Sequence, residues 1–288
     1  MKNALFAAIL SIATSAFAAD PAALDAILGR AGAPQPGGVT KYSFPRTDLA
    51  VTVGGVRIRP ALALGSWAAF NGSMVMGDLV LTENEVNAVI SALQAGGIDQ
   101  TAVHNHLLHE TPRVVYMHFE GHGDAATLAR AFRAGLQKTK TPLAAATQQP
   151  APAPLNLPVA DLDRILGAAG KANGGVDQFS IPRADRIMEG EMEIPPSMGV
   201  ATAINVQPIG LGRAVVTGDF VLTAGEVNGV IRALRNGAIE VTALHSHMLT
   251  EEPRLFFMHF WGNGDAVTLA KTLRSALDVT NVKRAPSP

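Results

Sequence analysis

The chain has 288 residues, 23 lysines and arginines against 24 aspartates and glutamates, and a net charge of −1. That balance, with no basic patch, argues against nucleic acid as a partner. Cysteine is absent, which excludes a disulfide framework, a thiolate metal site, a cysteine nucleophile and a lipid attached through cysteine.

In chain order, the start reads Met1-Lys2-Asn3, then an apolar run from Ala4 to Ala13, then Ala16-Phe17-Ala18. A basic start, a short apolar stretch and small residues at a cleavage site are expected of a secretory signal peptide over residues 1–18. The expected location is periplasmic or secreted. The run is too short to span a bilayer and no later segment is long and apolar enough, so no membrane span is expected.

The rest repeats itself. Leu24-Asp-Ala-Ile-Leu-Gly29 returns as Leu162-Asp-Arg-Ile-Leu-Gly167, and Gly77-Asp78-Leu-Val-Leu-Thr82 returns as Gly218-Asp219-Phe-Val-Leu-Thr223. Phe44-Pro45-Arg46-Thr-Asp48 and Gly121-His-Gly123-Asp124 also have second copies, at Ile181–Asp185 and Gly262–Asp265. The expected organisation is a first repeat domain over 19–137, an Ala/Pro-rich linker over 138–158 and a second repeat domain over 159–288.

Within the first copy a short helix is expected near Leu24–Leu28. Strands follow near Lys41–Phe44, Val51–Ile58, Ala61–Phe70 and Val75–Leu81. Thr82-x-x-Glu85 reads as a capping box, as does Thr223-x-x-Glu226. Behind it Val86, Val89, Ile90 and Leu93 make one apolar helical face. Two more strands, Thr101–Leu108 and Val114–Glu120, precede a last helix capped by Asp124. The fold class is therefore α+β: two tandem homologous domains, each a mainly antiparallel sheet with helices packed on one face.

All eight histidines fall in two windows. The first is His104-Asn-His106-Leu-Leu-His109-Glu110, followed by His118, Glu120 and His122; the second is His245-Ser-His247-Met-Leu-Thr-Glu251, followed by His259. Both spell H-x-H-x3-E-x7-H. Strand alternation gives His104 and His106 one face, and Tyr116, His118, Glu120 and His122 another, with Met117 and Phe119 turned to the helices. A hairpin turning at Glu110–Arg113 sets His118 opposite His104 or His106. Three imidazoles then converge with a glutamate near. The candidate metal ligands are His104, His106, Glu110, His118, His245, His247, Glu251 and His259. Such a nitrogen and oxygen set suits a divalent transition metal, with zinc, copper, iron, nickel and manganese undistinguished. Asp78 and Asp219 read as turn or edge residues, with a supporting role to a histidine as the alternative. Arg46 and Arg183, each in P-R-x-D, read as local Arg–Asp pairs.

The copies differ, since His109, Glu120 and His122 become Thr250, Trp261 and Asn263. The residues leave open an active first site beside a degenerate second one, one cavity shared by both histidine faces, or two sites of unequal affinity.

The string Ala102–Asp124 (A-V-H-N-H-L-L-H-E-T-P-R-V-V-Y-M-H-F-E-G-H-G-D), with the upstream G-S-W-A-A-F and G-D-L-V-L-T-E-N-E-V-N, resembles the LppY/LpqO family of bacterial exported proteins. The resemblance spans both halves and implies duplication and export, with no accepted activity. The family is named for lipoproteins, and the lack of cysteine departs from that. H-x-H-x3-E also resembles half of the cupin motif, but the spacing to His118 and the flanking helices do not fit a barrel.

Three functions follow. The first is an exported periplasmic metal-binding protein for storage, delivery or sensing. The second is a metal-dependent enzyme, hydrolytic or oxidative, with Glu110, Glu120 or His122 as the acid–base candidate. The third is a metal-free module for a small-molecule or cell-envelope ligand. A deep cleft favours the enzyme, a closed site favours carriage or structure, and an open histidine-bearing face favours the module.

Overall fold

A computed structural model describes residues 20–144 and 155–283. The expected signal peptide lies outside these residues, as does part of the expected linker. Among the described residues no helix is long and apolar enough to cross a membrane.

The first repeat opens with α1 (Pro21–Leu28), capped by Asp20 and closed by Gly29 at φ 72°. Its strands are β1 (Ala33–Gln35), β2 (Val39–Pro45), β3 (Gly65–Asn71) and β4 (Met74–Leu81). Helix α2 (Val86–Gln94), β5 (Asp99–His104), β6 (Val115–His122) and α3 (Ala125–Leu136) complete it. The second repeat runs in the same order. Its elements are α4 (Val159–Leu166), β7 (Lys171–Asn173), β8 (Val176–Pro182), β9 (Ala201–Gly210), β10 (Arg213–Thr223), α5 (Val227–Asn236), β11 (Glu240–His245), β12 (Leu255–Asp265) and α6 (Ala266–Leu277). The sheets have matching orders, β1-β2-β3-β4-β6-β5 and β7-β8-β9-β10-β12-β11. Every neighbouring pair is antiparallel.

Two expected strands take another form. Val51–Ile58 is split into Thr52–Val53 and Val56–Arg57, because Gly54 and Gly55 turn the chain at positive φ. The start of Ala61–Phe70 is instead a one-turn helix, Pro60–Ala63, since proline at a first helical position is already set for helix.

Each sheet buries one face under its helices. In the first repeat Phe44, Phe70, Met117 and Phe119 meet Leu93, Leu128 and Phe132. In the second, Phe179, Phe220, Met258 and Phe260 meet Leu234, Leu269 and Leu273. The opposite faces bury one another. Met74 and Met76 pack with Met198, Val221 and Phe257, while Leu62, Val80 and Tyr116 pack with Val176, Val215 and Trp261. The layers are thus helix, sheet, sheet, helix, and what is usually the solvent face of an antiparallel sheet becomes an interface between repeats.

The P-R-x-D and capping-box motifs turn out to be one structure. Glu85 accepts from Thr82 N at 2.8 Å, which is one half of the expected capping box. The other half does not form, because Glu85 is itself the N-cap of α2, without a side-chain capping bond, and its N–H donates to the Thr82 carbonyl at 2.9 Å. The same carboxylate accepts from Arg46 Nη1 at 2.8 Å, while Arg46 Nε donates to Asp48 and Nη1 to Val80 O. Arg46 is fully buried. Arg183, Asp185 and Glu226 repeat the arrangement. Removing one partner of such a pair leaves a buried charge uncompensated. Glu85→Ala is therefore expected to lower unfolding free energy by about 3–5 kcal/mol. Urea denaturation monitored by circular dichroism checks this.

Candidate metal centre between the repeats

Strand register places the histidines. On the adjacent antiparallel strands β5 and β6, Ala102 faces His118 and His104 faces Tyr116. His118 is thus two residues away from the nearer expected partner, His104. The reason is the connection, which is no tight turn: Glu110–Thr111 leaves this sheet to pair with Thr52–Val53. His104 and His118 still stack, with ring centroids 5.0 Å apart. His106 lies just past the end of β5, its ring flat on Tyr116 at 3.4 Å. In the second repeat His247 lies on Phe257 at 3.5 Å in the same way.

The two histidine faces meet, which is the shared-cavity arrangement. His104 stacks on His245 with centroids 3.7 Å apart, and His106–His259 and His118–His247 are each also 3.7 Å apart. Backbone contacts tie the faces with near two-fold symmetry. Thr101 Oγ1 donates to His247 O and Thr242 Oγ1 donates to His106 O, both at 2.6 Å. Asn105 Nδ2 also donates to Thr242 O at 2.9 Å.

The ring nitrogens are oriented from behind. His118 Nδ1 faces Gly77 O at 3.3 Å, His259 Nδ1 faces Gly218 O at 2.8 Å and His247 Nδ1 faces Gly199 O at 3.0 Å. A carbonyl only accepts, so each Nδ1 must carry the proton. The neutral ring then turns a bare Nε2 lone pair inward, the form that binds metals. The Gly-Asp repeat supplies both parts of this shell, because the glycine carbonyl holds the ring and the next side chain enters the cavity. Asp78 Oδ2 is 3.4 Å from His106 Nε2, and Asp219 Oδ2 is 2.9 Å from His247 Nε2. These contacts form no hydrogen bond. The buried, unpartnered atoms include Nε2 of His106, His118 and His247, both nitrogens of His245, and Oδ1 of Asp78 and Asp219.

Burial disfavours the charged form of five of these imidazoles. Burial, reinforced by the neighbouring rings, pushes His104 down to about 2 and holds His106 and His118 well below the ordinary imidazole value. Burial lowers His245 and His259 as well, the latter against the pull of Asp219. Burial and the nearby Asp219 push the Asp78 carboxyl well up. The buried imidazoles thus offer lone pairs to a divalent cation, whose arrival would displace the proton that burial favours on Asp78.

Four three-donor groups have all their donor atoms within 4.8 Å of one another: His104–His118–His245, His104–His106–His259, Asp78–His106–His118 and Asp219–His245–His247. Among the described residues these groups contain six of the eight histidines: both H-x-H pairs, His118 and His259. Neither Glu110 nor Glu251 is in them. Glu110 leaves with its short strand, and buried Glu251 accepts from Leu255 N at 2.8 Å and from Arg254 at 3.2 Å. Glu120 shares the face of His118 but belongs to none of these groups. Burial, then Glu189 and Glu251, push it up to about 7. His109 and His122 are exposed. Asp78 and Asp219, expected at turns or edges, stand in two of these groups. The available signal was parity: once β4 pairs with β6, Asp78 stands directly opposite His118, as Asp219 does opposite His259.

The chain belongs to a family described as Domain of Unknown Function (DUF1259), which matches twice, over residues 22–138 and 160–279. The protein is thus a duplicated domain of unknown function. No curated protein matches the chain. Two solved structures show a weak likeness over 86% of this chain and 89% of theirs. One is a trimeric bacterial microcompartment shell protein, PduB (14% identity, TM-score 0.21), and the other is EtuB from Clostridium kluyveri (9% identity, TM-score 0.20). Superposition that poor transfers neither fold nor function.

Two outcomes follow from the cavity. Metal-free protein should lose stability as pH falls below about 6.5, because His104, His106, His118, His245 and His259 bind protons more readily unfolded than folded. Asp78 works the other way, since its folded form takes a proton first, but five imidazoles outweigh one carboxyl. Melting temperatures of chelator-treated protein from pH 7.5 to 5 check the slope. A Cβ at Gly218 would meet the Ala203 carbonyl and the Phe260 ring. Gly218→Ala should therefore cost about 1–3 kcal/mol and displace the carbonyl that orients His259. Denaturant unfolding measures the cost.

Proposed function

We propose that this is an exported, periplasmic metal-binding protein that holds a divalent transition metal between its two repeats. The observation that carries the reading is the set of inward-facing, unpartnered imidazole nitrogens and carboxylate oxygens. Each such group buried without a partner costs about 1–3 kcal/mol, and a bound cation satisfies several at once. Imidazole with carboxylate and no thiolate suits zinc, copper, nickel or iron better than calcium or magnesium. The basic-then-apolar start of the chain and its resemblance to the LppY/LpqO family support export.

The placement of the histidines favours carriage, storage or sensing over catalysis. His118, His247 and His259 are 3–5% exposed and sit between two sheets. An enzyme needs an open coordination position that substrate can reach.

Elemental analysis of protein purified without added metal, beside a His106→Ala/His247→Ala variant, tests the reading. Stoichiometric transition metal is expected in the natural chain and not in the variant. Zinc added to stripped protein at a hundred times its dissociation constant should stabilise it by about 2.7 kcal/mol, read as a rise in melting temperature that the variant lacks. A natural chain without metal, whose melting is unmoved by zinc, copper or nickel, overturns the proposal.

A further inference from the structure

We propose that the cavity holds two metal ions, one on each side of the His104–His245 stack; this rests on the metal-binding reading above. Two of the converging groups, Asp78–His106–His118 and Asp219–His245–His247, share no residue. Each pairs one carboxylate with two imidazoles. His104 and His259 complete a third group with His106, and His104 also joins His118 and His245. They therefore stand where a ligand can serve either ion.

Counting and symmetry favour two ions over one. Six imidazoles and two carboxylates line the cavity, whereas a first-row transition ion takes four to six ligands. One ion leaves buried donors without a partner on the far side. The repeats are related by a near two-fold axis, marked by the reciprocal Thr101 and Thr242 hydrogen bonds. The His104 and His245 rings, 3.7 Å apart and 18° from parallel, occupy the middle of the cluster. The counterpart of Asp78–His106–His118 in the other repeat is Asp219–His247–His259; two of these three residues belong to the second group, and the third, His259, has its Nε2 4.0 Å from Asp219 Oδ2.

The two positions differ in readiness. Asp219 lies 2.9 Å from His247 Nε2 and 4.0 Å from His259 Nε2, whereas Asp78 lies 3.4 Å from His106 Nε2. The second-repeat position is the tighter one and fills first. His118 and His247, one from each group, have ring centroids 3.7 Å apart. Donor atoms of His118 and His245, again one from each group, lie within 4.8 Å of one another, which makes the two ions neighbours whose electrons interact, as in two-metal sites.

Titration of the stripped full chain with zinc, by calorimetry and by metal analysis after dialysis, should saturate at two ions per chain in two steps. Asp219→Asn should remove the first step and Asp78→Asn the second. Copper(II) added to the natural chain gives a readout that needs no variant. Its paramagnetic resonance signal should grow to one equivalent, then broaden and fall as the second ion couples to it. Saturation at one ion, or two copper ions with additive, uncoupled spectra, overturns the two-ion proposal and leaves the metal-binding reading standing. No uptake of zinc or copper overturns both.

Discussion

Lone pairs facing lone pairs govern the centre of this molecule. His247 donates its Nδ1 proton to Gly199 O; in the neutral ring its Nε2 can only accept, and 2.9 Å away stands an Asp219 oxygen that accepts too. Two acceptors at that distance need a proton or a cation between them. Buried ring nitrogens without a partner recur at His106, His118 and His245. Five or more such atoms at about 1–3 kcal/mol each rival the whole stability of a domain, about 5–15 kcal/mol. The binding energy of a structural zinc, about 10–16 kcal/mol in small peptides, is of the size needed to offset them.

Everything outside the cavity makes this arrangement possible. The helices cover one face of each sheet, so the other faces are left to meet. Apolar patches on both sides of the histidines, Met76 with Phe257 and Val80 with Trp261, press the sheets together and exclude water. The buried Arg46–Glu85 and Arg183–Glu226 pairs tie strand to helix at matching places in the repeats. Duplication then does what one copy cannot, since a single repeat brings three imidazoles to an open face and two repeats close that face on itself.

Much of this was legible in the residues. The α+β class, the duplication and the sidedness of Met117 and His118 all follow from period and spacing, because side-chain direction in a strand is set by parity. The register between His104 and His118 was not, because it depends on where Glu110–Thr111 goes. That short strand is claimed by Thr52–Val53, a partner far away in sequence. For the same reason the glutamates of the motif read as neighbours of the histidines and the aspartates did not. Glu251 follows the histidines closely in sequence but is used by Leu255 N and Arg254, while Asp78 lies far from them and is brought across the sheet by β4. That the two faces meet rests on packing between repeats, which no local pattern records.

The most direct measurement is anomalous diffraction at the zinc edge from crystals of the zinc-loaded chain. The account predicts peaks between the two sheets, with Nε2 atoms from both repeats about 2.0–2.1 Å away. Peaks confined to exposed residues such as His109 or His122, or bound by one repeat alone, would contradict it.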